Sequence, residues 1–208
     1  MQQDDDAAIT GLVLAGGRAT RMGGEDKGLI RIAGQPMVAH VLQRLRPQVQ
    51  KLLVNANRNA AAYAELRVRV VPDRMPEFPG PLAGMASGLA AAHTPWVVTA
   101  PCDSPLIPAD LVARLYQALR EQDADLAVAE GGGRLQPVFA LLPVSLLGDL
   151  EAYLLSGERK IDRWFRQHRM AVADFSDCAE AFINVNTPEE RDALERRLQN
   201  ESPGGSRR

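Results

Sequence analysis

The segment Leu14-Ala15-Gly16-Gly17-Arg18-Ala19-Thr20-Arg21-Met22-Gly23-Gly24-Glu25-Asp26-Lys27 gathers four glycines, Arg21 and Lys27 into one short stretch. A glycine-rich loop can wrap its backbone N–H groups around phosphate oxygens, and the two cations supply the charge that a triphosphate needs. The spacing matches neither GxxxxGK[ST] nor GxGxxG, so neither of those nucleotide loops is indicated. Further along, Thr99-Ala100-Pro101-Cys102-Asp103-Ser104-Pro105 ends an apolar run on a carboxylate. One carboxylate completed by phosphate oxygens and water is an ordinary magnesium arrangement. Asn55, with Asn57, and Asp73 close two further apolar runs. Each of these polar residues has a plainer role as a turn former or a solvated charge. Their shared position at the ends of four different runs is what turns suggestion into a site, because ligands of open α/β sheets bind outside the carboxyl ends of the strands.

Those positions require a particular scaffold. Ile9 to Leu14, Leu52 to Val54, Val68 to Val71, Trp96 to Ala100 and Leu126 to Ala129 read as short buried strands. Val38, Val41, Leu42 and Leu45 have the spacing of an amphipathic helix, as do Leu82, Met85, Ala86 and Leu89, and Leu111, Leu115, Ala118 and Leu119. Pro36, Pro81 and Pro108 stand at the starts of those helices. The alternation predicts an α/β three-layer sandwich around a mostly parallel, Rossmann-like sheet. In the second half, Pro137 to Leu142 and Met170 to Phe175 read as strands, Val144 to Leu155 and Lys160 to His168 as helices. Thr187-Pro188-Glu189-Glu190 has the form of a capping box opening a last helix. One domain is expected over 9–198, with a flexible N-terminus at 1–8 and a polar, disordered tail at 199–208.

Composition narrows the partners. Lys plus Arg number 24 and Asp plus Glu 26, a net charge of −2, with no basic stripe of the kind that nucleic-acid binders carry. No apolar run reaches the roughly 18 residues of a membrane span, and the acidic start Met1-Gln2-Gln3-Asp4-Asp5-Asp6 is unlike a secretory signal, so a cytoplasmic protein is expected. Cys102 and Cys178 form no CxxC pair, which argues against a disulfide scaffold or structural zinc. Cys102 reads as a small packed residue, and His40, His93 and His168 as structural.

LAGG-x3-RMGG-x2-KG, Leu14 to Gly28, resembles the signature loop of the nucleotidyltransferases, and most of all that of the molybdenum cofactor guanylyltransferases. Further marks recur in order: Val54 to Arg58, Pro79 to Met85, Pro101 to Pro105, Gly157 to Lys160, Asp174 to Asp177 and Phe182 to Glu190. The resemblance spans about Thr10 to Glu190 and implies a fold of the nucleotide-diphospho-sugar transferase type. It implies transfer of GMP from GTP to the terminal phosphate of molybdopterin, giving molybdopterin guanine dinucleotide and pyrophosphate, with Mg2+ as cofactor. It places Leu14, Ala15, Gly16, Gly17, Lys27, Asn55, Asp73, Gly80, Gly84 and Asp103 at GTP, with Asp103 as the metal ligand. Arg21, Lys27 and Asp103 are then the catalytic residues. Arg159, Lys160, Asn184 and Asn186 fall on the pterin side. The GTP half is expected at about 9–105 and the pterin half at about 106–198.

Two departures lie on the pterin half: Gln136 stands before Pro137 where a relative has His, and Glu130 to Arg134 matches loosely. A molybdenum-insertion protein and molybdoenzyme chaperones are the expected protein partners, with no nucleic acid and no membrane, and a monomer is expected. Two alternatives keep the glycine loop. One is cytidylyl or other nucleotidyl transfer to a pterin or sugar phosphate; the other is a non-catalytic GTP-binding module, against which Lys27 and Asp103 together argue.

Overall fold

The first strand, β1 (Ile9–Leu14), is buried at every position because it runs between two parallel neighbours with helices on both faces. A computed structural model describes residues 8–16, 26–75, 77, 80–185 and 187–201. After β1 come a 3-10 turn (Lys27–Leu29), β2 (Arg31–Ile32), β3 (Gln35–Pro36), α1 (Met37–Leu45), β4 (Lys51–Asn55), α2 (Ala60–Ala64) and β5 (Arg69–Val71). Then follow α3 (Pro81–Ala91), β6 (Trp96–Pro101), α4 (Leu111–Glu121), β7 (Leu126–Gly131), β8 (Arg134–Pro143), α5 (Leu147–Leu155) and α6 (Ile161–Phe165). β9 (Met170–Asp174), a 3-10 run (Ser176–Phe182) and α7 (Pro188–Glu201) complete the chain.

Seven strands form one sheet in the order β5-β4-β1-β6-β8-β7-β9, in which β8 alone is antiparallel to its neighbours. Period-two alternation sends Val13 to a core shared with Val38, Val41 and Leu45 of α1 and Leu111 and Leu115 of α4. Leu12 and Leu14 face the other core, with Leu82, Met85 and Leu89 of α3, Leu150 and Leu154 of α5, and Trp164 and Phe165 of α6. This is the three-layer, mostly parallel sandwich that the periodicity predicts. Among the described residues no helix is long and apolar enough to cross a membrane.

The second half departs from expectation in detail. β8 begins at Arg134, three residues before the predicted start at Pro137, because Gly132 and Gly133 (φ +65° and +71°) make a two-residue hairpin turn. Pro137 is tolerated inside β8 because the pairing slips there: Val128 opposes Ala140 while Ala129 opposes Gln136, a bulge that needs no ladder donor at Pro137. Thr99 of β6 supports the bulge, its hydroxyl donating to Val138 O at 2.7 Å. The helix expected over Lys160 to His168 is only Ile161–Phe165. Pro108 lies three residues ahead of α4, and Pro36 ends β3, a hairpin strand with no signature in the periodicity.

The capping box forms as predicted: Thr187 N–H donates to Glu190 Oε2 (3.0 Å), and Glu190 N–H to Thr187 Oγ1 (3.2 Å). α7 continues to Glu201, beyond the start of the expected tail.

Candidate active site at the carboxyl edge of the sheet

The strand order sets the carboxyl ends of β5, β4, β1 and β6 side by side. Asp73 follows β5, Asn55 ends β4, Ala15-Gly16 follow β1, and Asp103 follows β6. The chain crosses from β1 to β4 on one flank and from β5 to β6 on the other, so the direction of winding reverses beside β1, where a crevice forms at such edges. Three polar residues and the start of the glycine loop, far apart in the sequence, thus line one edge.

On one side of the crevice Asn55, 2% exposed, donates its amide to Asp73 Oδ1 (2.8 Å) and Val71 O (3.2 Å). Asn57 donates to Asp73 Oδ2 (2.6 Å) and accepts from Asp73 N–H (2.8 Å). Both Asp73 oxygens are therefore oriented by amides, yet a carboxylate has about four lone-pair sites and retains acceptor capacity for a ligand. Ala15 N–H donates to Asn55 O (2.8 Å), tying the glycine loop's start to β4. Two glycines press against Asn55: a Cβ at Gly84 in α3 would stand 2.4 Å from its Oδ1, and one at Gly16 3.0 Å. Gly80 caps α3 with φ +121°, a conformation that favours glycine.

On the other side, the Lys27 ammonium donates to Asp103 Oδ2, the two side chains being 29% and 15% exposed. Cys102 N–H donates to Leu14 O (3.0 Å), fixing the β6 terminus against β1. Burial, followed by the neighbouring Asp103 charge, pushes the Cys102 thiol up, so it is an inert packed group.

The segment after β9 crosses this edge. Phe175 and Phe182 pack edge-to-face at 5.2 Å, Phe182 on Phe139 at 4.8 Å, and the Arg114 guanidinium lies 4.1 Å over Phe175. Beyond Phe182 the chain reaches the Asp103 loop, where Val185 N–H donates to Asp103 O (3.0 Å) and Ser104 Oγ to Asn184 Oδ1 (2.7 Å). Asn184 therefore stands beside the Asp103 loop.

Arg159 and Lys160 have a different setting. Arg159 donates to Leu154 O (2.9 Å) and Glu158 O (2.6 Å), closing the end of α5, and Tyr153 Oη donates to Lys160 O (2.9 Å). The Arg159 bond to Leu154 O is one that a basic side chain near a helix C-terminus can make, and the Lys160 carbonyl ties the start of α6 to α5. Gln136 donates to Gly131 O (3.1 Å) at the β7–β8 hairpin. His40 bonds Ile32 O (2.9 Å), and His168 has a side chain only 12% exposed that packs on Trp164 and bonds Asp149 (3.1 Å), so both have structural settings. Gly17, Arg21 and Asn186 lie outside the described residues.

Sequence reasoning passed over Asp26, Asn59 and Tyr63. Asp26 Oδ1 accepts from Tyr63 Oη (2.5 Å) and Gly28 N–H (3.2 Å), and Oδ2 from Asn59 (3.0 Å). The available signal was the acidic residue directly before Lys27, which by type alone is a helix cap.

Residues 11–173 match the family model of the MobA-like NTP transferase domain. Curated relatives include a molybdenum cofactor guanylyltransferase of Cupriavidus necator, 55% identical over 187 residues that cover 88% of this chain and 94% of the relative. Another, from Shewanella sediminis, is 49% identical over 186 residues, covering 89% and 95%. Molybdopterin-guanine dinucleotide biosynthesis protein A from Archaeoglobus fulgidus shares the fold with a TM-score of 0.76 at 21% identity, covering 92% of this chain and 99% of that one. A 4-diphosphocytidyl-2C-methyl-D-erythritol synthase from Anaerococcus prevotii does so at 0.73 and 14%, covering 94% and 97%. At such identities the two structures speak for the fold alone, which is that of the nucleotidyltransferases.

Proposed function

The chain belongs to the MobA-like NTP transferase family and is a nucleotidyltransferase, and we propose that its carboxyl-edge crevice transfers GMP from GTP to the terminal phosphate of molybdopterin with magnesium. The observation that carries this reading is the row of Asp73, Asn55, Gly16 and Asp103 at the carboxyl ends of four adjacent parallel strands, with Lys27 on Asp103. Asn55 and Asp73 take the guanosine, because guanine presents N–H donors that call for fixed acceptors. Leu14 to Gly17, with Gly80 and Gly84, let backbone and base approach closely. Lys27 and Arg21 take the phosphates.

Asp103 suits the metal: its carboxylate follows β6 and already attracts a cation. No cluster of three His, Cys, Asp or Glu side chains occurs among the described residues. Phosphate oxygens and water would complete the shell, which is the habit of magnesium rather than of a transition metal. When bound, the ion supplies charge neutralisation on the phosphates and the departing pyrophosphate.

The acceptor is a phosphate monoester with a second pKa of about 6, already ionised near neutral pH, so no protein base is required. Its oxygen bonds to the α-phosphorus of GTP as the bond to the β-phosphate oxygen breaks. The protein's part is to hold two anions in line and offset their repulsion. Acceptor attack in line with the leaving group needs an approach opposite the pyrophosphate, and Asn184, bonded to Ser104 beside Asp103, is the residue proposed to meet the pterin on that side.

Pyrophosphate release from each of the four NTPs with molybdopterin, with product identification by mass, tests the reading. GTP alone should give the dinucleotide. A preference for CTP would replace the base assignment, and tight GTP binding without turnover would favour a binding module.

A further inference from the structure

Asp26 adjoins Lys27, yet its carboxylate faces α2. Its two oxygens accept three donors: Tyr63 Oη at 2.5 Å, Gly28 N–H at 3.2 Å and the Asn59 amide at 3.0 Å. Tyr63 is fully buried, and burial, followed by the bond to Asp26, pushes its hydroxyl up, so it stays a donor. Asn59 caps α2 in the left-handed region (φ +52°), and its carbonyl accepts Tyr63 N–H at 3.2 Å. Gly28 completes the junction: a Cβ there would stand 2.6 Å from Tyr63 Oη and 3.4 Å from Cys102. The exit of the glycine loop is thus fastened to the start of α2, which follows directly from the Asn55-Asn57 segment, and packed against the β6 terminus that carries Asp103.

From this geometry we propose that Asp26, held by Tyr63 and Asn59, is a positioning residue that sets Lys27 between Asp103 and the substrate phosphates. The inference rests on the proposed role of Lys27. A lysine stem has four flexible carbons, so a fixed backbone at its root narrows the positions the ammonium can reach beside Asp103. Misplacement of a catalytic group by about 1 Å can cost about a hundredfold in rate.

The test uses the full chain with Mg-GTP and molybdopterin. Tyr63→Phe retains the ring and deletes the bond to Asp26; it should lower kcat between about tenfold and a hundredfold and narrow the preference for GTP over guanosine. Guanosine affinity should change less than about threefold, a difference near 0.6 kcal/mol. In a Lys27→Ala background, Tyr63→Phe should alter kcat less than about twofold, since the group it positions is gone. Asp26→Ala, which removes the acceptor for all three donors, should lose at least as much as Tyr63→Phe does. Asp26→Ala serves if Tyr63→Phe lowers the yield of folded protein. Full kcat in folded Tyr63→Phe and Asp26→Ala proteins overturns the clamp, as does an undiminished loss in the Lys27→Ala background. If Lys27→Ala itself keeps full activity and GTP preference, the role of Lys27 falls, and the clamp with it.

Discussion

Replacing Gly84 by alanine separates the crevice from the scaffold. Within α3 the backbone gains, because alanine is better than glycine in a helix by about 1 kcal/mol. The new methyl, however, would stand 2.4 Å from Asn55 Oδ1 and 2.8 Å from Leu14 Cδ2, about 1 Å inside ordinary contact with the amide. Asn55 is buried and holds Asp73 at 2.8 Å and Val71 O at 3.2 Å, so it cannot recoil without straining both bonds. Disturbing a buried amide pair costs about 1–3 kcal/mol. In sum stability should fall by between zero and about 2 kcal/mol, while the displaced Asn55–Asp73 pair weakens GTP binding between about tenfold and a hundredfold, tenfold being about 1.4 kcal/mol.

Gly88, one turn further along α3, is the control. A Cβ there would meet Leu12 Cδ2 at 2.2 Å, in the core and away from the polar row. Gly88→Ala should cost about 1–3 kcal/mol by overpacking and lower Tm, while GTP affinity stays within about threefold. Calorimetric GTP titration beside thermal melts measures both. Wild-type affinity in Gly84→Ala, or an equal loss of affinity in Gly88→Ala, would refute the reasoning.

Asp103→Ala should fold and lose on the order of 10³-fold in magnesium-dependent turnover, read as pyrophosphate release; near-normal turnover would remove Asp103 from the metal site. Asn184→Ala should raise the molybdopterin requirement while GTP affinity stays within about a factor of three, and collapse of GTP binding in paired titrations would move Asn184 to the nucleotide side. The hydrogen bonds from Arg114 (2.8 and 3.1 Å) hold the Asp177 carboxyl below the usual carboxylate range. A depressed value contributes stability that is full above the unfolded value of about 3.9 and is lost as pH falls through the folded value. The Tm gap between wild type and Arg114→Ala should accordingly narrow below about pH 4, leaving the part due to packing on Phe175; a gap constant with pH would rule out the ion pair.

Features encoded by short stretches of chain are legible in the amino-acid sequence by itself. Apolar alternation in Ile9 to Leu14, the helical spacing of Val38 to Leu45 and the Thr187–Glu190 capping box each depend on neighbours within a turn or two, and each forms where the pattern puts it. The glycine loop and Asp103 are legible for the same reason, since each closes an apolar run. Tertiary structure alone decides which run ends meet. Asn55, Asp73 and Asp103 have the composition of turns, and only the order β5-β4-β1-β6 makes them neighbours. The β8 bulge around Pro137 arises from pairing with β7 and from Thr99, neither of which a local period can register. Ser104 and Asn184 are separated by 80 positions and Asp26 and Tyr63 by 37, so their hydrogen bonds exist only once sheet order and helix packing have closed those loops. Arg159 shows the converse: its residue type admits either a substrate anion or a helix terminus, and the end of α5 supplies Leu154 O as a partner. A residue's type states which bonds it can make, and the fold decides which partners come within about 3 Å of it.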